Sequence, residues 1–155
     1  MKVQEYMSAA PVWCSPQDDV QTLAKQMRDN NIGFVPVLSD PDERKLVGVV
    51  TDRDVSSKVV AAGYDPRFTQ VEEIMTRDVL SCDKGELLKK AFAKMQSGKI
   101  RRLPVLDKDD QLVGIISLDD IVRSEGFSPA PLVKGIQRVI ENSRRSSQKA
   151  AAGHR

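Results

Sequence analysis

Two short stretches of this chain place a carboxylate three residues after a hydroxyl, directly behind a glycine-led aliphatic run. They are Gly48-Val49-Val50-Thr51-Asp52-Arg53-Asp54 and Gly114-Ile115-Ile116-Ser117-Leu118-Asp119-Asp120. Each predicts a strand that ends at the hydroxyl residue and gives way to a helix. A hydroxyl at a helix start can cap the helix or share backbone amides with a bound phosphate. A carboxylate one turn further in can accept both hydroxyls of a ribose. The leading glycine lets another backbone or a flat base come close. Capping alone also explains either copy, because Thr and Ser are good N-caps and a first-turn Asp suits the helix dipole. Two copies at matched positions favour a site.

The match extends along the chain. At an offset of 68 residues, Val3-Gln4-Glu5-Tyr6-Met7 meets Val71-Glu72-Glu73-Ile74-Met75, and Cys14 meets Cys82. Val35-Pro36-Val37-Leu38 meets Leu103-Pro104-Val105-Leu106 in the same register. The offset then falls to 66, where Leu46-Val47-Gly48 meets Leu112-Val113-Gly114 and Asp54 meets Asp120. The first copy simply has a longer turn, Ser39 to Lys45. Conserved order over this length is the mark of an internal duplication.

Each copy predicts strand, helix, strand, strand, helix. A short extended segment (Val12-Trp13, then Val79-Leu80) leads into a helix. Ser15 caps the first such helix, with Pro16 at its first position and Asp18 three residues after the cap, and Asp83 and Glu86 repeat the spacing. Val20, Leu23, Ala24 and Met27 recur at helical spacing, as do Leu88, Ala91, Phe92 and Met95. Two apolar runs joined by polar turns at Asp40-Pro41-Asp42 and Lys108-Asp109-Asp110 predict hairpins. A last helix follows, about 52–62 with Gly63 as its stop, then about 119–124 with Gly126. One such unit leaves apolar surface bare, and two packed about a pseudo-twofold axis cover it. The expected class is therefore mixed α/β (α+β), with two βαββα repeats. The divisions are 1–66 for the first repeat, 67–128 for the second, with 63–70 as the bridge. Residues 129–155 carry an amphipathic helix, with Leu132, Val133, Ile136, Val139 and Ile140 on one stripe. Beyond Ser143 the composition predicts a basic, disordered tail.

Composition excludes several classes. Of 155 residues, 40% are hydrophobic, 30% charged and 5% aromatic, so an aliphatic core is expected. Net charge is +2, and the excess sits in the tail at Arg144, Arg145, Lys149 and Arg155. Nucleic acid is disfavoured as a partner, because the body has no basic excess and the tail no aromatic interleaving. No apolar run is long enough for a membrane span. Without a secretory leader or a cysteine framework, the expected compartment is the cytoplasm. Cys14 and Cys82 read as half-buried thiols, and Trp13 as a core residue. One His and no cysteine spacing argue against a metal site. No nucleophile–base pair and no Gly-rich Lys-Ser/Thr phosphate loop is present, so the chain is not expected to be an enzyme.

The two Gly-aliphatic-aliphatic-Thr/Ser-x-x-Asp motifs, the two aliphatic-Pro-Val strands and the Val-x-x-aliphatic-Met openings resemble those of tandem cystathionine β-synthase (CBS) domain proteins. The stretch from Thr51 to Pro66 is similar to bacterial, stand-alone members. The resemblance runs from about Val3 to Phe127. It implies clefts between the repeats that take adenosine compounds: AMP, ADP, ATP or S-adenosylmethionine. In them Asp54 and Asp120 would hold ribose hydroxyls, while Thr51 and Ser117 would contact ribose or phosphate. Arg101 and Arg102 would reach phosphates in the Asp54 cleft, and Arg53 would serve the Asp120 cleft. Val12 and Leu80 would flank the base. Gly33 and Phe34 stand where the second repeat has Arg101 and Arg102, so the Asp54 cleft should favour the more anionic ligand.

The resemblance thus implies a homodimeric, non-catalytic regulatory sensor. It would need no cofactor beyond its adenosine ligand, and any regulated partner would be a separate chain. A ligand-free dimerisation scaffold is the alternative.

Overall fold

The apolar runs around Pro36 and Pro104 become the buried strands on which the rest of the molecule is laid. The computed structural model describes residues 1–124 and Glu141. A 3-10 turn at Val3–Glu5 leads to β1 (Ser8–Ala9), followed by α1 (Val20–Asp29), β2 (Phe34–Leu38) and β3 (Leu46–Thr51). Next come α2 (Asp52–Asp54), which runs on as a π-helical stretch Val55–Val60, and α3 (Val71–Ile74). The second half supplies β4 (Cys82–Asp83), α4 (Leu88–Gly98), β5 (Arg102–Leu106), β6 (Leu112–Ser117) and α5 (Leu118–Arg123). The C-terminal helix, the tail and the stop at Gly126 fall outside the described residues.

Both hairpins form as expected, with Val35 opposite Val50 and Leu103 opposite Ile116. Aspartates close the turns. Asp40 Oδ1 accepts from the amides of Asp42 and Glu43, and Asp107 Oδ1 from those of Asp109 and Gln111. The second hairpin sits in a four-stranded sheet of order β1-β6-β5-β4. The first is flanked at the same places by single bridges, from Cys14 to Val37 and from Val49 to Thr76. The extended pairing thus falls on Cys14 and Cys82, one residue beyond the Val12-Trp13 segment and two beyond the Val79-Leu80 segment expected to carry it.

The helix starts differ from expectation. Asp19, not Ser15, caps α1, its carboxylate accepting from the Thr22 amide and hydroxyl at 2.8 Å each. The Ser15 amide instead donates to Asp18 in a separate turn, at 2.8 Å. In the second repeat the Asp83 amide donates to Glu86 Oε2, and Leu87 precedes α4 without a side-chain cap. The cause lies in packing across the chain. The loop before α1 carries α3, with the Val71 amide donating to the Asp18 carbonyl and the Glu72 amide to the Pro16 carbonyl. A helix begun at Pro16 would withdraw those carbonyls. Regular helix after Asp52 also ends early, turning π-helical at Val55 and stopping at Val60 ahead of Gly63, whose φ is +75°.

The two cores exchange their opening segments. Val3 is fully buried among Cys82, Leu88, Met95, Leu103 and Ile116. Val71, Ile74 and Met75 are buried among Cys14, Val20, Leu23, Val35 and Val59. β1 pairs with β6, Ser8 facing Ile115 and Ala9 facing Gly114. This explains the two motif glycines. A β-carbon on Gly48 would lie 2.6 Å from Met75 Sδ and 3.1 Å from the Thr76 carbonyl oxygen. One on Gly114 would lie 2.7 Å from Met7 Sδ and 2.9 Å from the Ser8 carbonyl oxygen. Of the two uses foreseen for these glycines, the close neighbour is the exchanged backbone. Cys14 and Cys82 are fully rather than half buried, each in the core that takes the other repeat's opening segment. Trp13, expected in the core, is only half-buried, because the burial falls on its neighbour Cys14.

Candidate ligand cleft between the repeats

The strand end at Thr51 and the short helix behind it are locked together by one carboxylate. Asp54 Oδ2 accepts from the Thr51 amide at 2.8 Å and from the Thr51 hydroxyl at 2.9 Å. The Asp54 amide returns a bond to Thr51 Oγ1 at 3.2 Å. Asp54 Oδ1 pairs with Lys58 Nζ at 2.9 Å. Ser117 and Asp120 repeat the box, with the Ser117 amide and hydroxyl donating to Asp120 Oδ2 at 2.8 and 2.6 Å. Capping therefore takes place in both copies, and in each it leaves the outer carboxylate oxygen for another partner.

Thr51 and Asp54 line a cleft of about 570 Å³ between the repeats. Its first wall is built by Gly33, Phe34, Asp52 and Arg53 beside them. The facing wall comes from the segment after α3, with Thr76, Asp78, Val79 and Leu80, and from the end of α4 and start of β5. Those last contribute Lys99, Arg101 and Arg102. Four cations thus ring the cleft, and none of their side chains has an ion-pair or hydrogen-bond partner among the described residues. Unpaired guanidinium groups around a concave wall suit an anion, which they can bind in bidentate fashion.

Six of the nine residues singled out in the sequence meet here: Thr51, Arg53, Asp54, Leu80, Arg101 and Arg102. Arg53 lines this cleft with Asp54, although it was assigned to the Asp120 side. Ser117 lies in a recess of only about 60 Å³, shared with Arg101, Arg102, Leu118 and Asp119. Register explains the sharing, since Arg102 sits opposite Ser117 across β5 and β6. Asp120 is not among the residues lining that recess. Val12 is elsewhere again, on a shallow hollow of about 460 Å³ with Ala10, Trp13 and Gln26. Sequence reasoning missed Lys99 and Lys58. Lys99 adopts a left-handed conformation, φ 55°, as the C-cap of α4, the place of Asn31 in the first repeat. Its nearness to Arg101 and Arg102 was visible in the sequence, as was the four-residue spacing from Asp54 to Lys58.

Burial pushes both thiols up to about 12, with the nearby carboxylates of Asp18 for Cys14 and Glu86 for Cys82 adding to it. Neither is poised for redox chemistry or metal binding. No group of three or more metal-ligating side chains occurs among the described residues. None of their helices is long and apolar enough to cross a membrane.

Two matched repeats closing on a cleft lined by four cations and three carboxylates define a paired-repeat module. The CBS domain model matches residues 3–61 and again residues 71–125, and the chain belongs to that family as a tandem CBS pair. The mitochondrial CBS domain-containing protein CBSX3 of Arabidopsis thaliana is 30% identical over 115 residues, 73% of this chain. A Methanopyrus kandleri protein is 30% identical over 127 residues, 82% of this chain. The chain spans 55% and 64% of the lengths of these two relatives. Among solved structures, the CBS domain pair of protein MJ0100 in complex with 5′-methylthioadenosine and S-adenosyl-L-methionine superposes with a TM-score of 0.70. It is 30% identical, covering 79% of this chain and 94% of that one. CBSX2 in complex with AMP gives 0.68 at 27% identity, covering 79% and 93%.

Proposed function

We propose that this chain is a non-catalytic regulatory sensor that takes an adenosine-containing ligand in the cleft beside Thr51 and Asp54. The observation that carries the proposal is the ring of unpaired Arg53, Lys99, Arg101 and Arg102 around a cleft that also holds the Asp54 carboxylate. The ligands in the structures of the MJ0100 pair and of CBSX2 support the adenosine class. Asp54 takes ribose hydroxyls, Thr51 the ribose or phosphate edge, and Leu80 packs on the base. The four cations select the more anionic members, ADP and ATP over S-adenosylmethionine. Ser117 and Asp120 serve a second, weaker site, whose small recess shares Arg101 and Arg102 with the first and does not include Val12.

Ligand bridging the two repeats shifts an existing equilibrium between arrangements, by no more than its differential affinity for them. The chain acts as a cytoplasmic homodimer on a separate protein. The exposed Val60, Tyr64 and Phe68, 71%, 63% and 81% accessible, suit burial between copies. A scaffold without ligand is the competing account, and capping by Asp54 and Asp120 is the observation in its favour.

Thermal unfolding against AMP, ADP, ATP and S-adenosylmethionine decides between them. A ligand that binds only the folded state raises the midpoint with concentration. A saturable rise with one adenosine compound, absent with GTP, supports the sensor. Flat curves throughout, with a dimer by light scattering, support the scaffold.

A further inference from the structure

The outer oxygen of Asp54 is already engaged. Lys58 Nζ lies 2.9 Å from Asp54 Oδ1 and donates also to the Ile74 carbonyl at 2.7 Å. The ammonium therefore ties the cleft carboxylate to α3, two residues before Thr76 on the facing wall. It projects from the π-helical stretch Val55–Val60, a kind of irregularity that recurs at functional positions. Asp54 itself is only 16% exposed.

A carboxylate offers about four lone-pair sites. In Asp54 three are used, by the Thr51 amide, the Thr51 hydroxyl and Lys58. One remains. In Asp120 only the Ser117 amide and hydroxyl are bound among the described residues. Ser124 stands where the first repeat has Lys58, and its hydroxyl turns to the Ile121 carbonyl. Two sites remain there.

We infer that Lys58 is a specificity-determining residue of the Asp54 cleft, limiting Asp54 to one ribose hydroxyl so that the cleft does not select for a vicinal diol. With Lys58 in place, Asp54 accepts a single ribose hydroxyl. A second hydroxyl must displace the ammonium, at the loss of its bond to the carboxylate. The matched Asp120 imposes no such limit. The inference rests on the adenosine-ligand function proposed above, and adds that this cleft tolerates loss of one ribose hydroxyl.

The test compares ATP with 2′-deoxyATP by titration calorimetry. Wild type and Lys58→Met are measured in an Asp120→Ala background that removes the other diol acceptor. Wild type is expected to bind the two within about threefold. Lys58→Met, which opens the fourth acceptor site, should favour ATP by about tenfold or more, the size of one hydrogen bond to a charged group. Lys58→Arg should restore the wild-type ratio, which a merely structural role would not require. Lys58→Ala serves if the Met variant folds poorly, and must give the same shift. Tight binding with an unchanged ratio in Lys58→Met or Lys58→Ala overturns the role of Lys58 and leaves the sensor standing. Binding of neither triphosphate to any form overturns both.

Discussion

Val3 and Val71 hold matched positions in the two repeats, and each is fully buried in the core of the other. The Val3 amide donates to the Glu86 carbonyl at 2.8 Å, and the Val71 amide to the Asp18 carbonyl at 2.9 Å. Neither repeat completes its interior from its own sequence span. Val3→Ala and Val71→Ala should each lower stability by about 1–3 kcal/mol. Because the cores are interlocked, each should shift one cooperative transition of the whole chain rather than melt one half. Denaturant unfolding followed by Trp13 fluorescence in the first half and by hydrogen exchange in the second checks this. Two separate transitions would mean that the exchange contributes little. A fragment of residues 1–66 should be unfolded alone and gain structure when mixed with 67–155.

Gly48 and Met75 make the same point at atomic range. A β-carbon on Gly48 meets the sulfur at 2.6 Å and cannot avoid the Thr76 carbonyl oxygen, a backbone atom. Gly48→Ala should cost about 1–3 kcal/mol through overpacking. Met75→Ala in the same chain should recover part of that loss, since it removes the sulfur but not the carbonyl. Thermal unfolding of the double-mutant cycle measures the coupling. Strict additivity would show that the crowding is relieved in some other way.

This exchange also marks the boundary of what the sequence disclosed. Helical and alternating periodicity report which residues share a face, so α1, α4 and both hairpins were legible, and the duplication made the pairing of halves legible too. Periodicity carries no information about which core an element joins. Val3 and Val71 looked like the first residues of their own repeats. The same gap misplaced the α1 cap: Ser15-Pro16 is a good local start signal, but α3 claims the carbonyls that such a helix would need. At the cleft, the Thr51–Asp54 pair and the Arg101-Arg102 dipeptide were readable from type and spacing. Which cleft Arg53 lines was not, because the direction of one side chain at a helix start depends on the wall it faces. Val12 and Leu80 were both given a base-flanking place by the resemblance, and the two segments sit differently. Leu80 packs within contact of Gly98 at the end of α4, where the first repeat has Asn30.

The buried thiols give a pH-dependent prediction. Cys14 and Cys82 are pushed up to about 12 chiefly by burial, whereas an unfolded thiol ionises near about 8.5. Their contribution to stability is therefore complete below about pH 8.5 and is lost as pH rises toward about 12, because the unfolded chain releases the protons first. Native protein at pH 8 should react with a thiol reagent only at the rate of unfolding, and denatured protein should react at once at both sites. Stability measured between pH 8 and 10 should fall more steeply in wild type than in the Cys14→Ala, Cys82→Ala variant. Equal slopes would show that the thiols do not govern this range.

The arginines on β5 separate charge recognition from base and sugar recognition. Arg101 and Arg102 are exposed, line the Asp54 cleft, and have no side-chain partner among the described residues to lose. Replacing both with Ala should leave the fold near wild-type stability, because exposed charges without partners contribute little. Binding should respond by ligand charge. A hydrogen bond to a charged group contributes about 1.5–3 kcal/mol before solvent screening, so ATP should weaken by about tenfold or more, and adenosine should hardly change. Added salt should weaken ATP binding in wild type and do so less in the variant, since exposed charges are screened within about 8 Å at physiological ionic strength. Calorimetric titration of both ligands into wild type and variant at two salt concentrations gives the eight affinities required. If adenosine and ATP lose equally, the arginines shape the cleft rather than hold phosphate, and Arg53 and Lys99 become the remaining cations for that role.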